Sequence, residues 1–407
     1  MSAKVAVVGA GFIGRGLVHR LVRREGIAAP LVVNRDPARA VKAFESAGVA
    51  AADLVVGDDP DVLAAALAEG RPAVATDARV LPEVAGIDVV VEATGAMEFG
   101  TQVMLAALEG GRHVVSLNAE VDALLGHHLD AVARRHGVIY TIADGDQPGV
   151  LLRMIDEADD LGLRPVVALN CKRNLDVHQS PQDSRPYAER DGTSVEMTTS
   201  FGDGTKLHIE NVVTANLSGL LPAPLGTPGV RTEVASVADD VRRAGIAEGS
   251  VHFTLGGDFG GGVVVLVTTD DPDFDASYLR YGKLGDGPWY PLFRPYHLIH
   301  MEVARTIEQV LGGGPALGRR TPEPVAACVA VAKRDLAAGE VLDGIGGGAS
   351  YGVAAGMAEA DGLLPIGLSQ HATLRRPVGI DRPITLDDVE IDDDAYLVRL
   401  LRSQPTG

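Results

Sequence analysis

The residues best placed for chemistry open the chain, as Val5-Ala6-Val7-Val8-Gly9-Ala10-Gly11-Phe12-Ile13-Gly14. An apolar run, then G-x-G-x-x-G, then a helical apolar pattern is the arrangement that receives a dinucleotide. Gly9 permits the tight turn, Gly11 lets the main chain approach a pyrophosphate, and Gly14 lets helix and strand pack closely. The helix start, with Phe12 and Ile13, presents free N–H groups and positive potential to the phosphates. An unliganded glycine turn would use the same residues; the flanking strand and helix favour the ligand. Where an acidic residue would hold the ribose of NAD stand Asn34-Arg35, with Asp36 one step beyond. A neutral Asn34 removes repulsion against a 2′-phosphate and Arg35 can pair with it bidentately, so NADP is expected over NAD, with NAD possible. In the alternative, Arg35 is solvated and Asp36 holds the ribose hydroxyls.

Further polar residues sit at the ends of apolar runs, where open parallel sheets receive ligands. Glu92-Ala93-Thr94-Gly95 places Ala93, Thr94 and Gly95 beside the cofactor, and Asn118 can bond its carboxamide or ribose. Glu120, Asp144 and Asp146 can meet substrate or a divalent cation, or can serve as helix caps and turn residues. Asn170-Cys171-Lys172-Arg173-Asn174 follows an apolar run. Lys172 is the candidate general acid or anion contact, since an ammonium is a movable point charge. Lys206 lies four residues before Glu210, in a stretch read as a strand after a hairpin turn at Gly202-Asp203-Gly204, so the two share a face. His297, before a helical segment, can titrate near neutrality. The catalytic candidates are therefore Lys172, Asp146, Glu120, Lys206 and His297. No Ser/His/Asp or Cys/His set has nucleophile spacing, and these residues neither require nor exclude a metal.

The elements that must position these groups fall into three stretches. Residues 1–145 alternate short β-branched runs (Val5–Val8, Leu31–Val33, Asp88–Val91, His113–Ser116, Val138–Thr141) with helical patterns such as Val62–Leu67 and Val103–Leu108, which predicts a doubly wound parallel sheet of the Rossmann kind. Residues 146–320 read as an α+β catalytic and oligomerisation domain. Val166–Leu169, Val195–Ser200, Lys206–Val213, Val251–Leu255 and Val263–Thr268 form a mainly antiparallel sheet, before a helix over Ile299–Leu311 that stops at Gly312-Gly313-Gly314-Pro315. Residues 321–407 form a small β-rich module with strands at Val325–Ala332, Leu363–Ile366 and Leu374–Val378.

Composition bounds the function. The 407 residues carry 36 Lys and Arg against 55 Asp and Glu, a net charge of −19, which repels nucleic acid and anionic lipid. A small anion is not excluded, because a local cluster of donors overrides a screened distant field. No apolar run has the length of a membrane span. Cys171 and Cys328 cannot build a disulfide framework, and Ser2-Ala3-Lys4 leads into a strand without a signal-peptide pattern, so a reducing, cytoplasmic setting is expected. The apolar run Val263–Val267 could pair across a homo-oligomer or be ordinary core.

Together the glycine fingerprint, Glu92-Ala93-Thr94-Gly95, Asn118-Ala119-Glu120 and Asp144-Gly145-Asp146-Gln147-Pro148-Gly149 resemble the homoserine-dehydrogenase-like oxidoreductases that carry a C-terminal SAF module. The module's likeness rests on Ala332-Lys333-Arg334-Asp335-Leu336, Gly339-Glu340, Leu342-Asp343-Gly344-Ile345-Gly346-Gly347 and Leu364-Pro365-Ile366-Gly367-Leu368. That resemblance implies a small β-clip shape for the module. The family includes deoxyxylulose-phosphate-reductoisomerase-like enzymes of isoprenoid biosynthesis, which implies isomerisation of 1-deoxy-D-xylulose 5-phosphate, or a related polar sugar derivative, and hydride transfer from NADPH. The alternatives are a homoserine or other semialdehyde dehydrogenase, an oxidoisomerase of a branched sugar acid, and a non-catalytic dinucleotide-binding redox sensor. The sequence departs from the usual reductoisomerases in offering no recognisable carboxylate group for a metal, and from homoserine dehydrogenases in its Asp144–Gly149 loop and its C-terminal module.

Overall fold

The computed structural model describes residues 4–27 and 30–402; Ser2 and Ala3, read above as part of the N-terminal lead, lie outside the described residues. In chain order, β1 (Val5–Val8), α1 (Phe12–Val22), β2 (Leu31–Val33), α2 (Pro37–Ser46), β3 (Val55–Val56), α3 (Pro60–Ala68), β4 (Ala73–Ala75), β5 (Val89–Glu92), α4 (Met97–Glu109), β6 (His113–Ser116), α5 (Ala119–Arg135) and β7 (Tyr140–Ile142) build a first compact unit of residues 1–146. Its sheet runs β3-β4-β2-β1-β5-β6-β7, and the pairings are parallel throughout. The order reverses at β1, which places the glycine turn at the crevice where such sheets bind ligands. Strands buried on both faces explain the continuous Val and Ala runs, as in the fully buried Val5–Val8 and Val89–Glu92.

A second unit begins with α6 (Gln147–Asp160) and β8 (Arg164–Lys172), then α7 (Pro181–Asp191), α8 (Val195–Gly202), α9 (Thr205–Ser218), β9 (Leu221–Pro222), β10 (Val230–Arg231), α10 (Val237–Arg243), β11 (Ser250–Leu255), β12 (Val263–Thr268), α11 (Pro272–Tyr281) and β13 (Tyr290–Arg294). Helix α12 (Ile299–Leu311) belongs to the first unit, where Val303, Ile307 and Val310 join the core made by Leu17, Val18 and Leu21 of α1. The chain then completes the second unit with β14 (Ala326–Ala332), β15 (Ser350–Gly356), α13 (Met357–Ala360), β16 (Ala372–Leu374), β17 (Val389–Ile391) and α14 (Tyr396–Arg402).

The main sheet of the second unit, β10-β11-β8-β12-β13, is mixed rather than mainly antiparallel: β8 pairs in parallel with β11 and antiparallel with β12. Val263–Val267 of β12 is fully buried between β8 and β13, so this run is core of its own chain and offers no free edge to a second copy. Two expected strands are helices. Val195–Ser200 lies in α8, started by the Ser194 hydroxyl, which accepts from Met197 N (3.1 Å). Lys206–Val213 lies in α9, and Gly202-Asp203-Gly204 is the junction between the two helices rather than a hairpin, with Gly204 left-handed at φ +84°. Leu363–Ile366 is not a strand either. Leu363 and Pro365 make single bridges to Thr385 and Val329, and a 3-10 turn follows over Ile366–His371. The β14–β15 and β16–β17 pairs are antiparallel, so the C-terminal part is a set of small β modules.

Those modules are fastened to α9 through buried polar groups. Asn216 Oδ1 accepts from Val325 N (2.9 Å) and Ala326 N (3.1 Å), while its Nδ2 donates to Ala326 O (3.2 Å). Gly352 N donates to Thr205 Oγ1 (2.8 Å). Lys333 Nζ lies 2.7 Å from Asp203 Oδ2 with both side chains buried, and it also donates to Gln179 O (2.9 Å) and Gly347 O (2.6 Å). Removing one member of such a pair leaves a buried charge uncompensated. Lys333→Ala is therefore expected to lower unfolding stability by about 3–5 kcal/mol in urea titrations. An unchanged midpoint would show that the pair does not hold the module.

Candidate active site

The nucleotide cleft of the first unit is made by main chain. A Cβ on Gly14 would lie 2.0 Å from Gly9 O, and one on Gly9, at φ +105°, would lie 2.8 Å from Ala93 O. Both glycines are fixed by close approach. A Cβ on Gly11 would meet nothing within 4 Å, so its bare main chain faces open space, and α1 starts there with no side-chain cap on its first N–H groups. That combination fits a pyrophosphate held by amides. The cleft encloses about 320 Å³ and is lined by Gly9, Gly11, Asn34, Arg35, Ala93 and Thr94, among others.

Each remaining cofactor candidate has a defined place. Asn34 Oδ1 accepts from Ala10 N (3.0 Å) and its Nδ2 donates to Asp36 O (2.8 Å), so this amide ties the end of β2 to the glycine turn. The Asp36 carboxylate caps α2 by accepting from Ala38 N (3.0 Å) and lies 3.6 Å from Arg39. Arg39 lines the cleft with Arg35. Sequence reading missed Arg39, and its spacing of four from Arg35 across a helix start was the signal. Phe12, the first residue of α1, also lines a neighbouring cavity. Ile13 is half-buried in the first turn of α1.

The Ala93-Thr94-Gly95 loop is anchored by Glu92, a fully buried carboxyl that sequence reading gave no role. Its Oε1 accepts from Thr94 N (2.8 Å) and from the Thr94 hydroxyl; Oε2 has no partner among the described residues. Burial raises the Glu92 pKa. Asn118, also buried, bonds Glu92, and its Oδ1 caps α5 by accepting from Val121 N (3.2 Å) while its Nδ2 donates to Ala96 O (3.4 Å). Its amide thus positions the loop and the helix. Glu120 follows in the first turn of α5, and Asp146 closes the first unit. Asp144 is a fastening residue: its Oδ2 accepts from Thr306 Oγ1 (2.9 Å) and its N donates to the same hydroxyl (2.8 Å), fixing the loop to α12.

In the second unit the Gln147 amide lies between two catalytic candidates, Lys172 and His297. Lys172, the last residue of β8, donates from Nζ to Gln147 Oε1 (2.7 Å). The Gln147 Nε2 lies 3.4 Å from Gly261 O and Gly262 O, and His297 Nδ1 lies 3.0 Å from the same Gly261 O. A carbonyl only accepts, so Nδ1 carries the His297 proton. Two residues back along the same face of β8, the buried Asn170 donates to Glu210 Oε2 (3.2 Å) and lies 3.5 Å from Asn211 Oδ1; its own Oδ1 has no partner among the described residues. Lys206 is buried one turn before Glu210 on α9, so the two share a face for a helical reason rather than a strand one. Burial pushes the neighbouring His208 down to about 4, so it is uncharged at neutral pH. Cys171, raised to about 12 by burial, is no nucleophile. Gln147 and Asn170 were missed as site members; both are neutral amides beside named residues and carry no charge signal. Among the described residues no group of three or more His, Cys, Asp or Glu could hold a metal ion, and no helix is long and apolar enough to cross a membrane.

Two family profiles match the chain. Residues 5–139 match the saccharopine dehydrogenase NADP-binding domain, and residues 145–303 match the catalytic domain of oxidoreductase DRL. No curated protein sequence matches. Among solved structures the chain is similar in fold to a probable dehydrogenase from Thermotoga maritima, at 13% identity over 78% of this chain and 91% of that one, TM-score 0.45. It is also similar to scyllo-inositol dehydrogenase from Lactobacillus casei, at 14% identity over 79% and 92%, TM-score 0.44. A third is 1-deoxy-D-xylulose 5-phosphate reductoisomerase from Zymomonas mobilis, at 18% identity over 53% and 58%, TM-score 0.37. The two profiles, the first of which covers the nucleotide cleft, make the chain an NAD(P)-dependent oxidoreductase of the Rossmann-fold superfamily.

The glycine geometry separates binding from folding. Gly11→Val is expected to leave the melting temperature within about 2 °C of wild type while abolishing NADPH binding in fluorescence titrations. Gly14→Ala is expected to destabilise by about 1–3 kcal/mol, since its methyl group has nowhere to go. Retained NADPH affinity in Gly11→Val would contradict the amide cradle.

Proposed function

We propose that the chain is an NADPH-dependent reductase of a polar hydroxy-carbonyl compound, with 1-deoxy-D-xylulose 5-phosphate or a related sugar derivative as the substrate class. When bound, the cofactor supplies the hydride. The chain supplies the rest: Gly9, Gly11 and Gly14 cradle the pyrophosphate, Arg35 and Arg39 meet the 2′-phosphate, and Glu92 and Asn118 hold the Ala93-Thr94-Gly95 loop in place. The observation that carries the reading is Lys172 held by the buried Gln147 amide, which orients a proton donor without neutralising it. Lys172 polarises the substrate carbonyl and delivers the proton that must accompany hydride addition. Asp146 and Glu120 are candidates for passing that proton on, and Lys206 and His297 for binding the substrate's anionic groups. The pairing of two arginines with a neutral Asn34 supports NADP over NAD.

The reductoisomerase reading rests on the sequence resemblance, together with the DRL catalytic-domain match. Homoserine or a semialdehyde, and a branched sugar acid, are the competing substrates. Parallel assays of NADPH-linked deoxyxylulose phosphate reduction and NADP-linked homoserine oxidation decide between the first two.

Lys172→Ala is expected to lower kcat by about 100-fold or more and to leave the NADPH dissociation constant within about twofold. Wild-type turnover would remove Lys172 from the chemistry. Replacing Arg35 and Arg39 together by Ser is expected to cut the NADPH over NADH preference in kcat/KM by about tenfold or more; an unchanged preference would place the 2′-phosphate elsewhere.

A further inference from the structure

A cavity of about 330 Å³ lies in the first unit, lined by Phe12, Arg15, Gly16, His19, Arg20, Ser46 and His300. It shares no lining residue with the nucleotide cleft. Four of its seven residues are arginine or histidine, in a chain whose net charge is −19. Several other arginines of this unit pair with carboxylates, Arg24 with Glu308, Arg39 with Asp36, Arg71 with Glu69, Arg79 with Asp77 and Arg134 with Asp130, while Arg23 lies against the His19 ring. Arg15 and Arg20 have no such partner among the described residues. Phe12, 61% exposed, gives the opening an apolar wall.

The floor is built by close packing. A Cβ on Gly16 would lie 2.8 Å from the His300 ring, so the imidazole rests directly on the backbone of α1. His19 Nδ1 lies 2.9 Å from Ser46 O, at the end of α2, which fixes the opposite wall. The geometry points to a second anion site, one that takes the phosphate group of a small phosphorylated molecule between Arg15, Arg20 and His300, with the rest of that molecule against Phe12. The volume suits a small ligand, and two unpaired guanidinium groups are the donors that phosphate recognition uses. The cavity's charge also acts on its own imidazole. Burial, and then Arg20 and His19, lower the His300 pKa, and an anion bound beside the ring acts in the opposite direction.

The test is phosphate binding by the protein saturated with NADPH, followed by calorimetry and by NMR of the histidine rings. Inorganic phosphate is expected to bind once per chain and to raise the His300 pKa. Arg15→Gln with Arg20→Gln is expected to weaken phosphate by about tenfold or more and to leave the NADPH dissociation constant within about twofold. Phenyl phosphate is expected to bind more tightly than inorganic phosphate. No phosphate binding to the NADPH-loaded protein, equal binding in the double variant, or a His300 ring indifferent to phosphate would each overturn the inference. A protein that fails to take up NADPH at all sinks the cofactor reading instead, and that titration is read separately.

Discussion

A carbonyl oxygen that would stand 2.0 Å from any Cβ at position 14 fixes how the first helix leaves the first strand. With Gly9 turned to φ +105° against Ala93, and Gly14 against Gly9, the start of α1 is pressed down onto the sheet edge. The one glycine with open space before it is Gly11. The turn therefore ends in a row of amides with nothing of the protein in front of them, and the positive end of a helix behind. The rest of the first unit serves that turn: Asn34 ties it from the β2 side, and Glu92 and Asn118 brace the loop it touches. Arg35 and Arg39 add two guanidinium groups to the lining of the same cleft.

The second unit solves a different problem, which is how to keep many polar groups buried at one end of a sheet. Helix α9 is the means. Its buried residues include Thr205, Lys206, Glu210, Asn211, Thr214 and Asn216, of which Glu210 accepts from Asn170 of β8, Asn216 accepts from Val325 N and Thr205 accepts from Gly352 N. The C-terminal modules thus complete the burial of α9 rather than standing apart from it. Their Lys333, part of the motif that suggested a SAF-like module, works as a buried counter-ion to Asp203. A charge kept in place by burial and pairing specifies one arrangement of these elements more than it adds stability.

The legible parts of the sequence were those with a simple period. Parallel strands buried on both faces appear as short Val and Ala runs, and α1 and α12 show a one-sided apolar stripe, so the first sheet and the fingerprint could be read directly. Helices α8 and α9 could not. Val195–Gly202 is rich in Thr and short, and α9 is buried on nearly every side, which erases the 3.6-residue alternation and leaves β-branched runs that look like strands. The stop and start signals were present in Ser194, Gly204 and Gly219, but glycine and serine mark hairpins as well as helix ends. Site members carrying charge, such as Lys172, were found. The neutral amides Gln147 and Asn170, whose role depends on what lies opposite them, were not.

The account stands on one binding event, the seating of a reduced pyridine dinucleotide on the bare amides after β1. Titration of the wild-type protein with NADPH, followed by nucleotide fluorescence, measures it directly. The account predicts one site per chain with a micromolar dissociation constant and weaker binding of NADH. No saturable binding of either nucleotide up to millimolar concentration would contradict it.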